Sequence, residues 1–332
     1  MAKALPLGKL PKAVLDRHVL KFLGYKSKDI VVGPKIGVDF AAIKTSKGYL
    51  ICSSDPITGV TEDIGWYAVN VSANDVSTSG ARPEFLEATI LLPPSTDLFK
   101  LKEIVRQIHK ASKELSISVI GGHTELTPTL QRPIVVTTCF GFTKRFITSA
   151  DAKEGDSIMM TKTAGVEGTS ILASLFKDKL RHLGRDFIDR SLNMKKKISI
   201  VQEASLAFST GFVNAMHDPT EGGLLQGIDE MAEASGLGFV VYEDKIPVAK
   251  ETRRICAELN VDPLKLISSG VLLISVPSGK VDKILDVFKK EGLDVREIGS
   301  FTKKGKKLVR SDGRVELIKD EISDELWRLV EL

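Results

Sequence analysis

The sequence predicts a two-domain α/β protein, and three observations carry that reading. The chain has 332 residues, more than one core usually holds, and two domains are the natural count for that length. Strand-like and helix-like apolar periodicities alternate along it. Near residue 146 the pattern changes: the polar, glycine-bearing run TSADAKEGDSIMMTKTAG leads into a new strand, placing a boundary at about 146–152. The division is therefore written as residues 1–148 and 149–332.

Composition narrows the class. Hydrophobic residues make up 42% and charged residues 27%, the balance of a globular chain rather than a disordered one. The net charge of +4 is a small difference between 47 basic and 43 acidic residues, which argues against nucleic acid or a membrane surface as partner. Lysine runs such as MKKKIS (194–199) and KKGKKL (303–308) read as solvated faces or hairpin ends. No apolar stretch approaches the ~18 residues of a membrane span. The start, MAKALPLGKLP, has too short an apolar part, interrupted by proline, for a secretory signal. Cys52, Cys139 and Cys256 lie far apart in apolar runs, as reduced thiols of a cytoplasmic protein would. The five histidines form no HExxH-like cluster, so a zinc site is not expected.

Taken in order, PKAVLDRHVLKFLG (11–24) reads as a helix, and AAIKTSKGYLICSSD (41–55) as two strands joined at SKG. Residues 63–79 follow as a helix, with Ile64, Ala68 and Val71 on one face and Gly80 and Pro83 stopping it. PEFLEATILLPP (83–94) is a strand. DLFKLKEIVRQIHKASKELS (97–116) is a long amphipathic helix with an N-cap at Ser95, Thr96 or Asp97. SVIGGHTE (118–125) and RPIVVTTCFGF (132–142) are two more strands. The second half gives helices around 166–177, 199–210 and 221–235, strands at 238–243 and 270–276, and a helix at 279–291. A hairpin over KKLVRSDGRVELI turns at Asp312-Gly313, and SDELWRLVEL closes the chain as a short helix.

The chemistry is expected where acids break these elements. Asp75 continues the apolar stripe of the 63–79 helix, so it should point into the core, close to the negative end of the helix dipole. Asp39 precedes a strand in GPKIGVDFAAI. Asp55 ends one in YLICSSDPITG, where Pro56 should prevent continuation. Gly121, Gly122, His123, Thr124 and Glu125 end the strand of SVIGGHTELTP, and Asp218 stands ahead of a helix in MHDPTEGGLLQG. Singly these fit turns and caps: Asp218 or Thr220 as an N-cap, Asp75 paired with Arg82. Together, three carboxylates in one domain repel unless a hard cation joins them, and Mg²⁺ takes such oxygens along with phosphate. Glycine-rich turns expose backbone N–H groups to an anion. No GxxxxGK[ST], GxGxxG or GxSxG occurs, so a nucleotide site must be of another design.

The set GVDFAAI, SSDPITG, NDVSTSGARP, GGHTE and HDPTEGGL, in this order, resembles the aminoimidazole ribonucleotide synthetase (PurM) superfamily. The resemblance spans about residues 30–315 and is strongest to HypE-like hydrogenase-maturation proteins and their AIR synthase-related relatives. It implies a PurM-like two-domain α/β fold whose N-terminal sheet domain pairs with its twin, forming a barrel shared by a homodimer. It implies ATP and Mg²⁺ between the domains, with Asp39, Asp55 and Asp75 as the Mg²⁺–phosphate acids and Asn74 as a polar contact. Gly121, Gly122 and Thr124 become the phosphate loop, and Asp218, Gly222 and Gly223 the second domain's contribution. Asp75 would then face Mg²⁺.

The chain also departs from the family pattern. The run Gly37-Val38-Asp39-Phe40-Ala41 has one acid where many members read GDDAA, and His123 replaces the acid of GGDT. A neutral imidazole is a poor Mg²⁺ ligand; His123 is instead the candidate catalytic group, as a hydrogen-bond donor to a phosphate or a proton carrier, with a structural role as its alternative. HypE proteins carry a reactive terminal cysteine, whereas this sequence ends ELWRLVEL and its last cysteine, Cys256, reads as core in ETRRICAELN. The expected function is ATP-dependent transfer of the γ-phosphate to an amide- or oxygen-bearing acceptor, in a HypE-like maturation factor without terminal-thiol chemistry. A nucleotide-binding dimeric regulator and a thiamine-monophosphate-type kinase are the alternatives, the missing paired acids counting against the second. TKTAGVEGTSIL (161–172) reads either as a substrate-anion turn or as a plain tight connection.

Overall fold

The computed structural model describes residue 5 and residues 7–330. The chain forms two units. The smaller comprises Lys28–Gly33 and Asp39–Phe146; the larger takes the segment ending at Ser27, Pro34–Val38, and everything from Ile147 onward. The expected division kept the first 148 residues together, but the N-terminal segment groups with the larger unit. Its anchors are ionic: Lys12 Nζ lies 2.9 Å from Asp229 and 2.6 Å from Glu233. Helix α1 (Lys12–His18) lies in this segment and buries none of its residues, so nothing sustains the further turns expected to residue 24.

The smaller unit is a six-stranded sheet under two helices. Its elements are β1 (Ile30–Val32), β2 (Ala41–Thr45), β3 (Gly48–Ile57), α2 (Ile64–Thr78), β4 (Arg82–Leu92), α3 (Leu98–Leu115), β5 (Ser118–Leu126) and β6 (Ile134–Thr143). The strand order is β1-β2-β3-β6-β4-β5, and β4 and β5 form its parallel pair, joined through α3. Asp97 caps α3, accepting the Lys100 N–H at 2.8 Å, as one of the three expected candidates. Helix α2 is buried all round except at Trp66, because the sheet covers one side and Ile104, Ile108 and Ala111 of α3 meet it on the other.

Two strands depart from expectation. β3 runs through Pro56 to Ile57, because beyond Cys52 only β6 pairs with it and its other edge is open. β5 does not end at the glycines: Gly121–Glu125 lie inside it, and all nine of its residues are exposed along the sheet edge. A bulge opposite Leu86 and Glu87 brings Gly122 to φ +144, and a Cβ there would lie 1.8 Å from the Ala88 carbonyl oxygen.

The larger unit has a seven-stranded mixed sheet. Its elements are β7 (Asp156–Thr161), α4 (Val166–Leu175), α5 (Arg185–Leu192), α6 (Val201–Ser209), β8 (Ala215–His217), α7 (Gly223–Ser235), β9 (Gly238–Tyr242), α8 (Lys250–Leu259), β10 (Leu273–Pro277), α9 (Val281–Lys290), β11 (Val295–Thr302), β12 (Lys306–Val309), β13 (Val315–Leu317) and α10 (Glu325–Val330). The order is β13-β12-β9-β11-β7-β10-β8. Met160 faces the core that includes Leu225, Ile228 and Met231 of α7, while Met159 faces Ala204 of α6 and Ile284 and Phe288 of α9. Both faces of β7 are thus covered, which is why every residue of it is buried and its centre, Ile158-Met159-Met160, is apolar without alternation. The hairpin stands as read, with Val309 opposite Val315. β11 escaped the sequence reading because a bulge between Glu297 and Gly299 breaks its alternation. No helix among the described residues is long and apolar enough to cross a membrane.

Gly122→Ala is expected to lower stability by about 2 kcal/mol or more, measured by urea unfolding, since strain and collision with the β4 backbone act together. An unchanged unfolding midpoint would contradict this account of β5.

Candidate active site

In the smaller unit the sheet and α2 bring two of the expected acids together. Ser53, Asp55 and the buried Ile51 alternate along β3 onto the face that α2 covers. Ser53 Oγ lies 2.6 Å from Asp75 Oδ2 and 3.2 Å from Asp55 Oδ2. One hydroxyl carries one proton, so it can satisfy only one of the two carboxylates at a time. Thr137, opposite Asp55 on β6, bonds the Ala68 carbonyl at 2.7 Å and Ser72 Oγ at 2.9 Å, fixing α2 against the strand. Asn74 is fully buried on the turn that carries Asp75.

Asp75 is 8% exposed in the last turn of α2, where carbonyl ends add negative potential. The following residues blunt that field. Ser77, Thr78 and Ser79 turn their hydroxyls back onto the carbonyls of Ala73, Asp75 and Val76 at 2.7, 2.7 and 2.6 Å. Arg82 sits exposed at the start of β4, and Ser53 supplies a donor to Asp75. Asp39 is half-buried two residues before β2. As Ala41 pairs with Cys52, Asp39 enters the sheet near the level of Ser53 and Ser54.

The glycine segment stands apart from these acids. Pairing runs Asp55–Thr137–Ala88–Gly122 across the sheet, which at the usual strand spacing puts Gly122 about 14 Å from Asp55. Gly121–Thr124 is therefore edge strand, not a phosphate turn beside the carboxylates. His123 points to the face opposite Asp55, 64% exposed, with Nε2 3.1 Å from Glu125 Oε2. That bond, followed by one from Thr127, holds the Glu125 carboxyl below its usual range. Within one chain His123 does not reach the carboxylate pair.

In the larger unit, β8 ends in His217 and Asp218, both buried, and a turn leads to α7. Gly222 and Gly223 have φ +80 and +67, and a Cβ on Gly223 would press the Leu264 and Leu266 carbonyls at 2.8 and 2.6 Å. His217 Nε2 lies 3.0 Å from Glu230 Oε2, and Gln226 donates to Glu230 Oε1 at 3.2 Å. Burial pushes Glu230 up, but the Lys9 ammonium, His217 and Gln226 outweigh it and hold the carboxyl at about 2. The cap of α7 is neither Asp218 nor Thr220. It is Gly222, with no side-chain cap bond, and its own N–H is taken by Asp324 Oδ2, 102 residues away, at 2.7 Å.

The TKTAGVEG turn is a tight connection. Lys162 pairs with Glu203 at 2.7 Å, and the Gly165 and Gly168 N–H groups donate to Ser268 Oγ and the Ile267 carbonyl. Glu167, at the start of α4, is buried with Oε2 lacking a hydrogen-bond partner, and burial pushes its carboxyl up to about 7. Cys256 is buried on α8 and its thiol is pushed up to about 12, so it is core rather than nucleophile.

Residues 37–143 match the AIR synthase related protein N-terminal domain, and residues 153–311 its C-terminal domain. The chain belongs to the AIR synthase related family. Among relatives, this family member is 29% identical over 313 residues to a provisionally named hydrogenase expression/formation protein of Methanocaldococcus jannaschii, covering 91% of this chain and 90% of that one. It is 30% identical over 254 residues to the carbamoyl dehydratase HypE of Cupriavidus necator, covering 75% and 70%. Two solved structures share the fold. Hydrogenase maturation protein HypE in complex with ATP superposes with TM-score 0.71 at 23% identity, covering 95% and 93%. AaThiL complexed with AMPPCP and TMP gives 0.72 at 20% identity, covering 88% and 92%.

Ser53, Glu167, Glu230 and Asp324 were not singled out from the sequence. Ser53 had a signal, since it stands two residues before Asp55 on the same strand face. Asp324 had none, because its partner is remote in sequence. Glu167 yields a pH prediction. Its carboxyl is raised from 4.5 to about 7, so the folded chain holds the proton more tightly than the unfolded one. Its contribution is fully present below about pH 4.5 and is lost as pH rises through 7. Glu167→Gln should flatten this decline by something on the order of 3 kcal/mol in urea unfolding between pH 5 and 8. An identical pH dependence in the variant would contradict it.

Proposed function

We propose that this AIR synthase related protein is an ATP-dependent enzyme that moves the γ-phosphoryl group of ATP onto an amide-type or other oxygen of an acceptor. The observation that carries the reading is the meeting of Asp55 and Asp75 on Ser53. These are hard oxygen donors, and two carboxylates sharing one hydroxyl suit Mg²⁺. Asp55 and Asp75 would hold the ion, with Asp39 entering the sheet nearby; bound there, it supplies charge neutralisation on the triphosphate. Ser53 keeps the carboxylates in register, and Asn74, buried next to Asp75, would be a polar contact of the same cluster. In the transfer, an acceptor oxygen bonds the γ-phosphorus as the bond to the β–γ bridging oxygen breaks and ADP leaves. The relatives support this reading: one is a carbamoyl dehydratase, and two neighbours were solved with ATP or AMPPCP.

Isothermal calorimetry should give Mg²⁺-dependent ATP binding that weakens at least tenfold in Asp75→Asn and Asp55→Asn. Equal affinity with and without Mg²⁺ would overturn the metal assignment. A kinase reading has its own support in 25% identity over 286 residues to the thiamine-monophosphate kinase of Pyrococcus abyssi. Phosphorylation of thiamine monophosphate in a direct assay would decide for it.

A homodimer is part of the same proposal. β5 is an open edge with Val119, Ile120 and Leu126 at 48, 56 and 58% exposure, and unpaired apolar edges seek partners. Light scattering should show a dimer, and Ile120→Lys should shift it toward monomer by tenfold or more in dissociation constant. A wild-type monomer at micromolar concentration would contradict the pairing.

A further inference from the structure

The segments 7–15, 35–37 and 321–328 border, with the start of α7, a cavity of about 590 Å³ that lies wholly in the larger unit. That is room for a small organic ligand, since such sites commonly span about 300–1,000 Å³. Leu10, Leu15, Ile36, Ile322 and Trp327 line it, and each is only half-buried, which leaves apolar surface for a ligand to cover. Trp327 is fixed at this wall. Its Nε1 donates to Glu221 Oε2 at 3.0 Å, and the Lys9 N–H donates to the same oxygen at 2.7 Å. Gly8 packs against both groups: a Cβ there would collide with Trp327 Nε1 and Glu221 Oε2, so only glycine lets the chain pass this close.

The polar lining decides the charge of that ligand. Four carboxylates border the cavity: Glu221, Glu230, Glu321 and Asp324. Three of them have partners on both oxygens. Glu230 meets His217 and Gln226, Glu321 takes the Lys12 N–H, and Asp324 takes the Gly222 and Leu326 N–H groups. Glu221 differs: both of its bonds fall on Oε2, and no described residue donates to Oε1. The bordering cations are engaged. Lys9 lies against Thr220 and Glu230, and Lys12 against Asp229 and Glu233. Lys35 donates to the Ala234 carbonyl, and Arg328 to Glu325 and the Asn260 carbonyl. An anion entering here would face four acids with every bordering cation already held. A neutral apolar ligand would cover Glu221 and bring no donor to Oε1, which costs free energy. A cation with N–H groups brings both the donor and the charge, and an indole beside it adds cation–π attraction.

We infer that this cavity is a binding site for a small organic cation: a primary ammonium or amidinium on an apolar body of ring size, with its N–H groups on Glu221 Oε1 and its body against Trp327 and the aliphatic side chains. The carboxylate selects the charge, and the wall selects the apolar body. Because Trp327 already donates to one oxygen of Glu221, a cation at the other oxygen lies close to the indole, and the emission of Trp327 reports occupancy. The site shares no residue with the Asp55–Asp75 pair, so it stands apart from the nucleotide reading.

Benzylammonium, benzyl alcohol and benzoate test the charge on one ring, in buffer of constant ionic strength without ATP or Mg²⁺. Titration of the unsubstituted protein, followed by saturation-transfer nuclear magnetic resonance, should give saturable benzylammonium binding, with benzyl alcohol and benzoate at least tenfold weaker. Trp66→Phe leaves Trp327 as the sole tryptophan of the two, and benzylammonium should change its emission with the same midpoint. Glu221→Gln keeps an oxygen for the Lys9 and Trp327 N–H groups and removes the charge. It should weaken benzylammonium at least tenfold and leave benzyl alcohol unaltered. Equal affinity for the three probes, or no saturable binding of benzylammonium, overturns the site. So does unchanged benzylammonium affinity in folded Glu221→Gln, or a Trp327 emission that stays constant while benzylammonium binds. If either variant fails to fold, the ranking of the three probes on unsubstituted protein still decides. Loss of ATP binding in the proposed nucleotide site would leave each of these results standing.

Discussion

A carboxylate buried in the last turn of a helix opposes both its own desolvation and the helix dipole, and the smaller unit is arranged around one, Asp75. Ser53 reaches it from β3, and the hydroxyls of Ser77, Thr78 and Ser79 quiet the carbonyls beside it. Because Ser53 also lies against Asp55, the arrangement answers one negative charge by bringing up another. In the proposed site a bound cation would answer both charges, and the bonds of Thr137 hold α2 against β6.

Much of this was legible in the chain. The placement of Asp75 followed from helical spacing with Ile64, Ala68 and Val71, and its 8% exposure agrees. The strand run of β6, the Asp97 cap and the Asp312-Gly313 hairpin rest on local rules, which short segments carry by themselves. What failed was what depends on remote neighbours. Pro56 reads as a stop, yet β3 continues because one edge is open at that point. The glycines at 121 and 122 read as a turn, yet the bulge opposite Leu86 and Glu87 makes them strand. Family resemblance gathered Gly121, Gly122, Thr124 and His123 with the acids; sheet register separates them within one chain, on rows and faces that a one-dimensional pattern does not record.

The larger unit shows the same limit. HDPTEGG announces a strand end, a turn and a helix, and the structure supplies all three. The residues that hold that turn lie far away in sequence, with Lys9 on one side and Asp324 and Trp327 on the other. Polar partners of this kind leave no periodicity. They become visible only when each buried N–H and carboxylate is asked where its bond goes.

The central claim is that Asp55 and Asp75 are a cation site for a nucleotide. Electron paramagnetic resonance of Mn²⁺ tests it most directly, by measuring free ion with and without ATP for wild type and the Asp55→Asn, Asp75→Asn double variant at fixed protein concentration. The account predicts that wild type takes up Mn²⁺ more tightly with ATP present than ATP in buffer does, and that the double variant loses this excess. Equal uptake by wild type and variant would show that the two acids answer some other need of the fold.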